Sequence, residues 1–184
     1  MTSNALSRDL TFILGGARSG KSAYAERLAG ESGLPVTYIA TARIGDSEFA
    51  ERVKHHRERR PAHWTLVEAP LDLALALRDA DAQGHCVLID CLTLWLANLL
   101  CPPDAAPDAP PSVPHAAFDA FDRALADVRS KVIVVSNEIG LGVVPLGSVT
   151  RLYVDELGRL NQRVAAASTR AVLMAAGLPL ALKG

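Results

Sequence analysis

The chain has 184 residues, enough for one domain with its own core, and 49% of them are hydrophobic against 21% charged, a globular composition. Nineteen Lys and Arg against twenty Asp and Glu leave a net charge of −1, which removes the general electrostatic case for nucleic acid or an anionic membrane as partner. Three cysteines (Cys86, Cys91, Cys101), an odd number without a C-x-x-C pair, argue against a disulfide framework or a zinc site and fit a reducing compartment.

In chain order, "MTSNALSRDL" lacks the basic start and apolar core of a signal peptide, so a cytoplasmic location is expected. A strand is predicted at 11–15 ("TFILG"), followed by the glycine loop "GGARSGKS" and a helix beginning "SAYAERLA". A second strand follows at 36–40 ("VTYIA"), then a helix over roughly 46–60, and a weaker strand within 63–68 ("HWTLVE"). A helix at 71–81, a strand at 86–90 ("CVLID") and a helix at 92–100 come next. The greasy run that spans the last two is broken by Asp90, Thr93 and Asn98 and is too short to cross a bilayer, so no membrane span is expected. "CPPDAAPDAPPSVP" (101–114), with six prolines in fourteen residues, reads as a surface loop between helices. A helix at 115–129, a strand at 131–136, a helix at 148–168 and a strand at 170–175 complete the pattern. In the 148–168 segment Val149, Leu152, Leu157, Leu160 and Val164 recur at helical spacing. Strand–helix alternation with continuous apolar strands predicts a single α/β domain over 1–184, a mostly parallel sheet with helices on both faces.

Gly15, Gly16, Ala17, Arg18, Ser19, Gly20, Lys21 and Ser22 match G-x-x-x-x-G-K-[ST] in full, between a predicted strand and a predicted helix, which is the context a phosphate-binding P-loop requires. Glycines let backbone N–H groups converge on phosphate oxygens, and the helix N-terminus adds its positive end. Lys21 is expected to reach the β and γ phosphates of a nucleoside triphosphate, and Ser22 to help hold Mg²⁺. Asp90, closing its strand, is the candidate carboxylate for positioning that metal; a turn former or helix cap is the competing reading.

"ERVKHHRERRPAHW" (51–64) sets two adjacent histidines among five Arg and Lys. On a helix over 48–60, Phe49, Val53 and His56 share one face, while His55 lies about 100° away beside Arg52 and Arg59. His56 is then expected in the core and His55 in the open. A solvated basic helix with one buried histidine, a metal site, a nucleic-acid patch and a nucleophilic histidine all compete for the segment. The metal reading lacks H-E-x-x-H spacing, and the nucleic-acid reading lacks interleaved aromatics. A neutral imidazole can attack phosphorus while nearby arginines stabilise charge on the phosphoryl oxygens, and periodicity selects His55 for that role.

Together, "GGARSGKSAYAERLA", "YIATA", "RVKHHRERRPAHW", "DCLTLWLANLL" and "VSNEIGLGVVPLGSVTRLYVDELGRLNQRVAA" resemble the bifunctional adenosylcobinamide kinase / adenosylcobinamide-phosphate guanylyltransferases of cobalamin biosynthesis, in order and over nearly the whole chain. The resemblance implies a RecA-like P-loop core, ATP or GTP as phosphate donor to the aminopropanol hydroxyl of adenosylcobinamide, and then transfer of GMP from GTP to the new phosphate. It implies a GMP-histidine intermediate at the position of His55, and nucleotide contacts from Ala40, Thr41, Ala42, His56, Arg57, Glu58, Arg59 and Glu68. Glu68 would meet the guanosine portion, with an exposed strand-end glutamate as the plain alternative. Asn137 and Glu138 could serve the corrinoid or the metal, and capping or turn formation explains them equally well. A homo-oligomer, as a trimer, is also implied. A P-loop small-molecule kinase without nucleotidyl transfer and a regulatory nucleotide-binding module are the competing functions.

Overall fold

The computed structural model describes residues 8–43, 61–102 and 112–184. The helix expected over 46–60 and most of the proline-rich stretch fall outside these residues, as do His55, His56, Arg57, Glu58 and Arg59. Seven strands form one sheet: β1 (Leu10–Gly15), β2 (Val36–Ala40), β3 (Thr65–Glu68), β4 (Cys86–Asp90), β5 (Lys131–Asn137), β6 (Arg170–Ala175) and β7 (Leu178–Lys183). Their spatial order is β3-β2-β4-β5-β1-β6-β7. Every pairing is parallel except β6 with β7, which is antiparallel. The described helices are α1 (Lys21–Glu31), α2 (Leu73–Ala80), α3 (Leu92–Leu100), α4 (His115–Asp127) and α5 (Ser148–Ala167).

The apolar runs belong to central strands because both faces of the sheet are covered. Alternate residues sort to opposite layers. Phe12, Val87, Ile89, Val132 and Val134 pack under α2 to α5, whereas Ile13, Leu88, Ile133 and Val135 pack under α1 with Ala25 and Ala29. The larger layer centres on Trp95, whose ring meets Phe118 and Phe121 at centroid separations of 5.8 and 5.3 Å. Its indole N–H is not left unpaired, since Trp95 Nε1 donates to the Leu71 carbonyl at 2.7 Å.

The six strands predicted from apolar runs all form, the weak one as Thr65–Glu68. The seventh was not anticipated. It arises from a two-residue reversal at Ala176 and Gly177, both with positive φ (51° and 81°), a turn that matches the twist of paired strands. In α5 the expected apolar stripe holds at Leu157, Leu160 and Val164, but Val149, in the first turn, is 47% exposed. No helix among the described residues is long and apolar enough to cross a membrane.

Candidate functional site

The parallel strands bring their C-terminal residues to one edge. Gly15 stands level with Asn137 of β5, Ala40 with Asp90 of β4, and Ala40 with Glu68 of β3. Open α/β sheets bind ligands at this edge, where loops and helix N-termini converge. Of the residues singled out in the sequence, Gly15–Ser22, Ala40, Thr41, Ala42, Glu68 and Asp90 lie on or beside it.

The glycine loop leaves β1 and enters α1 through left-handed backbone at Arg18 (φ 58°) and Gly20 (φ 92°), a turn geometry that directs successive N–H groups to one side. Ser19 N–H bonds the Gly16 carbonyl at 3.3 Å, closing the loop on itself. Lys21 folds back, Nζ donating to the Gly16 carbonyl at 3.1 Å. Its ammonium therefore already sits over the loop that a triphosphate would fill. Two neighbours brace the loop from outside: Glu138 N–H donates to the Gly15 carbonyl at 3.1 Å, and Gly177 N–H to the Ser19 carbonyl at 3.0 Å. The second brace comes from the β6–β7 turn, an element that the apolar pattern does not predict.

Asp90 accepts a hydrogen bond on Oδ2 from the Tyr38 hydroxyl at 3.1 Å, which fixes the carboxylate at the end of β4. β5 lies between β4 and β1, so Asp90 and Gly15 are two strand spacings apart, about 10 Å across the sheet. Asn137 ends the strand between them. Its N–H donates to Thr93 Oγ1 at 2.8 Å, and its carbonyl accepts from Asn161 Nδ2 at 3.0 Å. Tyr38, Thr93 and Asn161 are supporting residues that periodicity hides, because the first two lie within largely apolar stretches and Asn161 within a polar run of its helix.

Thr41 is fully buried, and its hydroxyl is committed to the backbone of Cys91: Oγ1 donates to the carbonyl at 2.7 Å and accepts from the N–H at 2.9 Å. Asn98 Nδ2 then bonds the Thr41 carbonyl at 2.8 Å and the Pro70 carbonyl at 3.0 Å. Thr41 thus ties the outlet of β2 to that of β4, and Asn98 adds the outlet of β3. Burial, with the Asp90 charge adding to it, pushes the Cys91 thiol up to about 12, against an opposing pull from Lys21. That thiol stays protonated near neutral pH.

Among the described residues no group of three or more His, Cys, Asp or Glu is placed to hold a metal ion. Ser22 and Asp90, a hydroxyl and a carboxylate at this edge, are oxygen donors of the kind that Mg²⁺ takes when it arrives with nucleotide phosphates and keeps several waters.

Comparison with known proteins gives the site its relatives. Residues 11–182 match the protein family described as cobinamide kinase / cobinamide phosphate guanyltransferase. The bifunctional adenosylcobalamin biosynthesis protein CobP of Pseudomonas aeruginosa is 53% identical over 177 residues, 96% of this chain and 98% of that one. The bifunctional adenosylcobalamin biosynthesis protein CobU of Escherichia coli is 37% identical, over 95% of this chain and 99% of that one. Among solved structures, the flagellar accessory protein FlaH of Methanocaldococcus jannaschii aligns at TM-score 0.50 and 16% identity, covering 95% of this chain and 78% of that one. A second solved structure, an ATPase domain, aligns at TM-score 0.50 and 16% identity, covering 90% of this chain and 69% of that one. The fold is the RecA-like P-loop fold that the family resemblance implies.

Proposed function

This chain belongs to the cobinamide kinase / cobinamide phosphate guanyltransferase family, and on that premise we propose that its two reactions share the Gly15–Ser22 loop and differ in the phosphorus atom attacked. In the kinase reaction the aminopropanol hydroxyl of adenosylcobinamide attacks the γ phosphorus of ATP or GTP and loses its proton, and the nucleoside diphosphate leaves. In the second reaction a neutral ring nitrogen of His55 attacks the α phosphorus of GTP, and pyrophosphate leaves. A phosphate oxygen of adenosylcobinamide phosphate then attacks the same phosphorus, releasing the imidazole and giving adenosylcobinamide-GDP.

The observation that carries this reading is Lys21 lying over its own loop, on the sheet edge that also holds Asp90, Ala40 and Glu68. A cation there meets negative charge on the β and γ phosphates in either reaction, and the β phosphate belongs to both leaving groups, the nucleoside diphosphate and pyrophosphate. Ser22 and Asp90 would hold Mg²⁺, which when bound neutralises phosphate charge. Thr41 and its carbonyl partners keep the outlet of β2 in place, and the chain carrying His55 starts from that outlet. Ala40, Ala42, His56, Arg57, Glu58 and Arg59 are proposed to line the nucleotide, and Glu68 to meet its guanosine portion. A homo-oligomer is proposed with them, supported by the exposed row Leu178, Leu180 and Leu182 along β7.

The test is covalent labelling. Incubation with GTP labelled at the α phosphate is expected to leave acid-labile, alkali-stable label on the protein, and the intact mass is expected to rise by one GMP. His55→Ala should abolish labelling and GMP transfer while retaining kinase activity; His56→Ala should mainly lower stability. Equal loss of labelling in both variants would overturn the assignment of His55. Phosphorylation of cobinamide without any protein label would leave a kinase alone.

A further inference from the structure

The loop between β5 and α5, residues 138–147, reads "EIGLGVVPLG" and is apolar where loops are ordinarily polar. Leu141, Val143 and Leu146 are 85, 96 and 97% exposed, with Val144 also open. Aliphatic side chains concentrated in this way on a surface mark a binding face.

The loop is anchored at both ends. At its start Glu138 N–H holds the Gly15 carbonyl, and the Glu138 carboxylate turns into the loop to accept from Gly140 N–H at 2.7 Å. At its end Arg151 Nη1 donates to the carbonyls of Pro145, at 2.9 Å, and Leu146. Ile139, Val143, Val144 and Pro145, with Arg151 and Asp155 of α5, line a shallow pocket. An apolar wall therefore meets one cationic and one anionic side chain, next to the phosphate loop.

We propose that this loop is the platform for the corrin ring of the cobinamide substrate. The proposal rests on the kinase and guanylyltransferase reading above. Both reactions act at the end of the aminopropanol arm, so the ring must lie within one arm's length of the loop that holds the phosphates. Its macrocycle carries methyl groups for the aliphatic side chains and carboxamide arms that can accept from Arg151 or donate to Asp155. The other exposed apolar row, on β7, starts with Leu178 beside the turn that braces the phosphate loop, but its remaining members, Leu180 and Leu182, run back down the sheet away from the strand ends where phosphate is handled. Position thus separates the two surfaces: 138–147 borders the chemistry.

The experiment uses the full chain with Leu141, Val143 and Leu146 all changed to Ser. These side chains are exposed, so the melting temperature is expected to hold. Cobinamide binding, followed by the corrin's own visible absorbance in equilibrium dialysis, should weaken about tenfold or more, while GTP affinity stays within about twofold. In steady state the KM for cobinamide should rise in the same proportion with the KM for nucleotide little changed. A triple variant that binds cobinamide as the unmodified protein does would overturn the proposal. So would a variant whose only change is a smaller sedimentation coefficient, since the face would then belong to a second copy of the chain. Failure of the unmodified protein to phosphorylate cobinamide would instead strike the functional reading, an outcome distinct from any effect of the loop.

Discussion

At position 15 a methyl group has no room: a Cβ there would run into Ser19 Oγ and come within 2.8 Å of the Met174 carbonyl oxygen. The serine hydroxyl is buried and could rotate, but the carbonyl belongs to β6, which pairs with β1 along its length. Relief must come from movement of the loop itself. At Gly16 nothing lies within 4 Å of the same added atom. Gly15→Ala is therefore expected to lose about 1–3 kcal/mol of stability in urea unfolding and to bind GTP poorly. Gly16→Ala should unfold like the unmodified protein, so that any loss in GTP binding reports close approach of phosphate to residue 16. The motif asks for glycine at 15 and leaves 16 open, but only the packing behind the loop says why. Tyr38 and Thr93 illustrate the same limit. Their hydroxyls fix Asp90 and Asn137, yet in sequence each is one polar atom within an apolar run, and pairing across strands is what gives it a role.

Elements were legible wherever one strong period ran their length. β1, β2, β4, β5 and β6 are strands of five or more residues built round apolar runs, and covered sheet faces make such runs. β7 escaped for two reasons: Pro179 argues against a strand, and its turn uses Ala176 at positive φ rather than Asn-Gly. An edge position tolerates that proline. Junctions between elements were harder still, and Asp81 shows why. Just past the end of α2, its Oδ1 accepts from Arg129 N–H (2.9 Å), Ser130 N–H (2.8 Å) and Ser130 Oγ (2.7 Å), joining α2 to the segment that opens β5. Burial alone would raise this carboxyl, but the bonds from Ser130 and Arg129 together outweigh it and hold the group below its ordinary value of 3.8. A depressed carboxyl contributes stability that is complete above the unfolded-state value and is lost as pH falls through the folded one. Denaturant melts of the unmodified protein should thus weaken as pH drops below about 4, and Asp81→Asn should remove part of that slope while lowering stability at neutral pH. An unchanged slope would place the acid sensitivity elsewhere.

Across the whole molecule, the two side-chain layers close over the sheet tightly enough to isolate its thiols. Burial pushes Cys86 up to about 11, as it pushes Cys91 to about 12, whereas Cys101 is exposed beyond the end of α3. Near neutral pH a thiol reagent should modify Cys101 alone in the folded protein and all three after denaturation. Rapid reaction of more than one thiol would mean that the core opens far more often than this packing allows. The architecture was legible because composition, alternation and one phosphate motif agreed. Strand order was not, since parallel crossovers of similar length permit several arrangements of the same elements.

That order has a metric consequence. β3 and β1 are separated by β2, β4 and β5, so Glu68 and Gly15 stand four steps apart along one rim, roughly 19 Å at the usual spacing. The rim acts as a ruler. A molecule that touches both marks must be stretched crosswise over Asp90 and Asn137, and a more compact one can report to only one end of the scale.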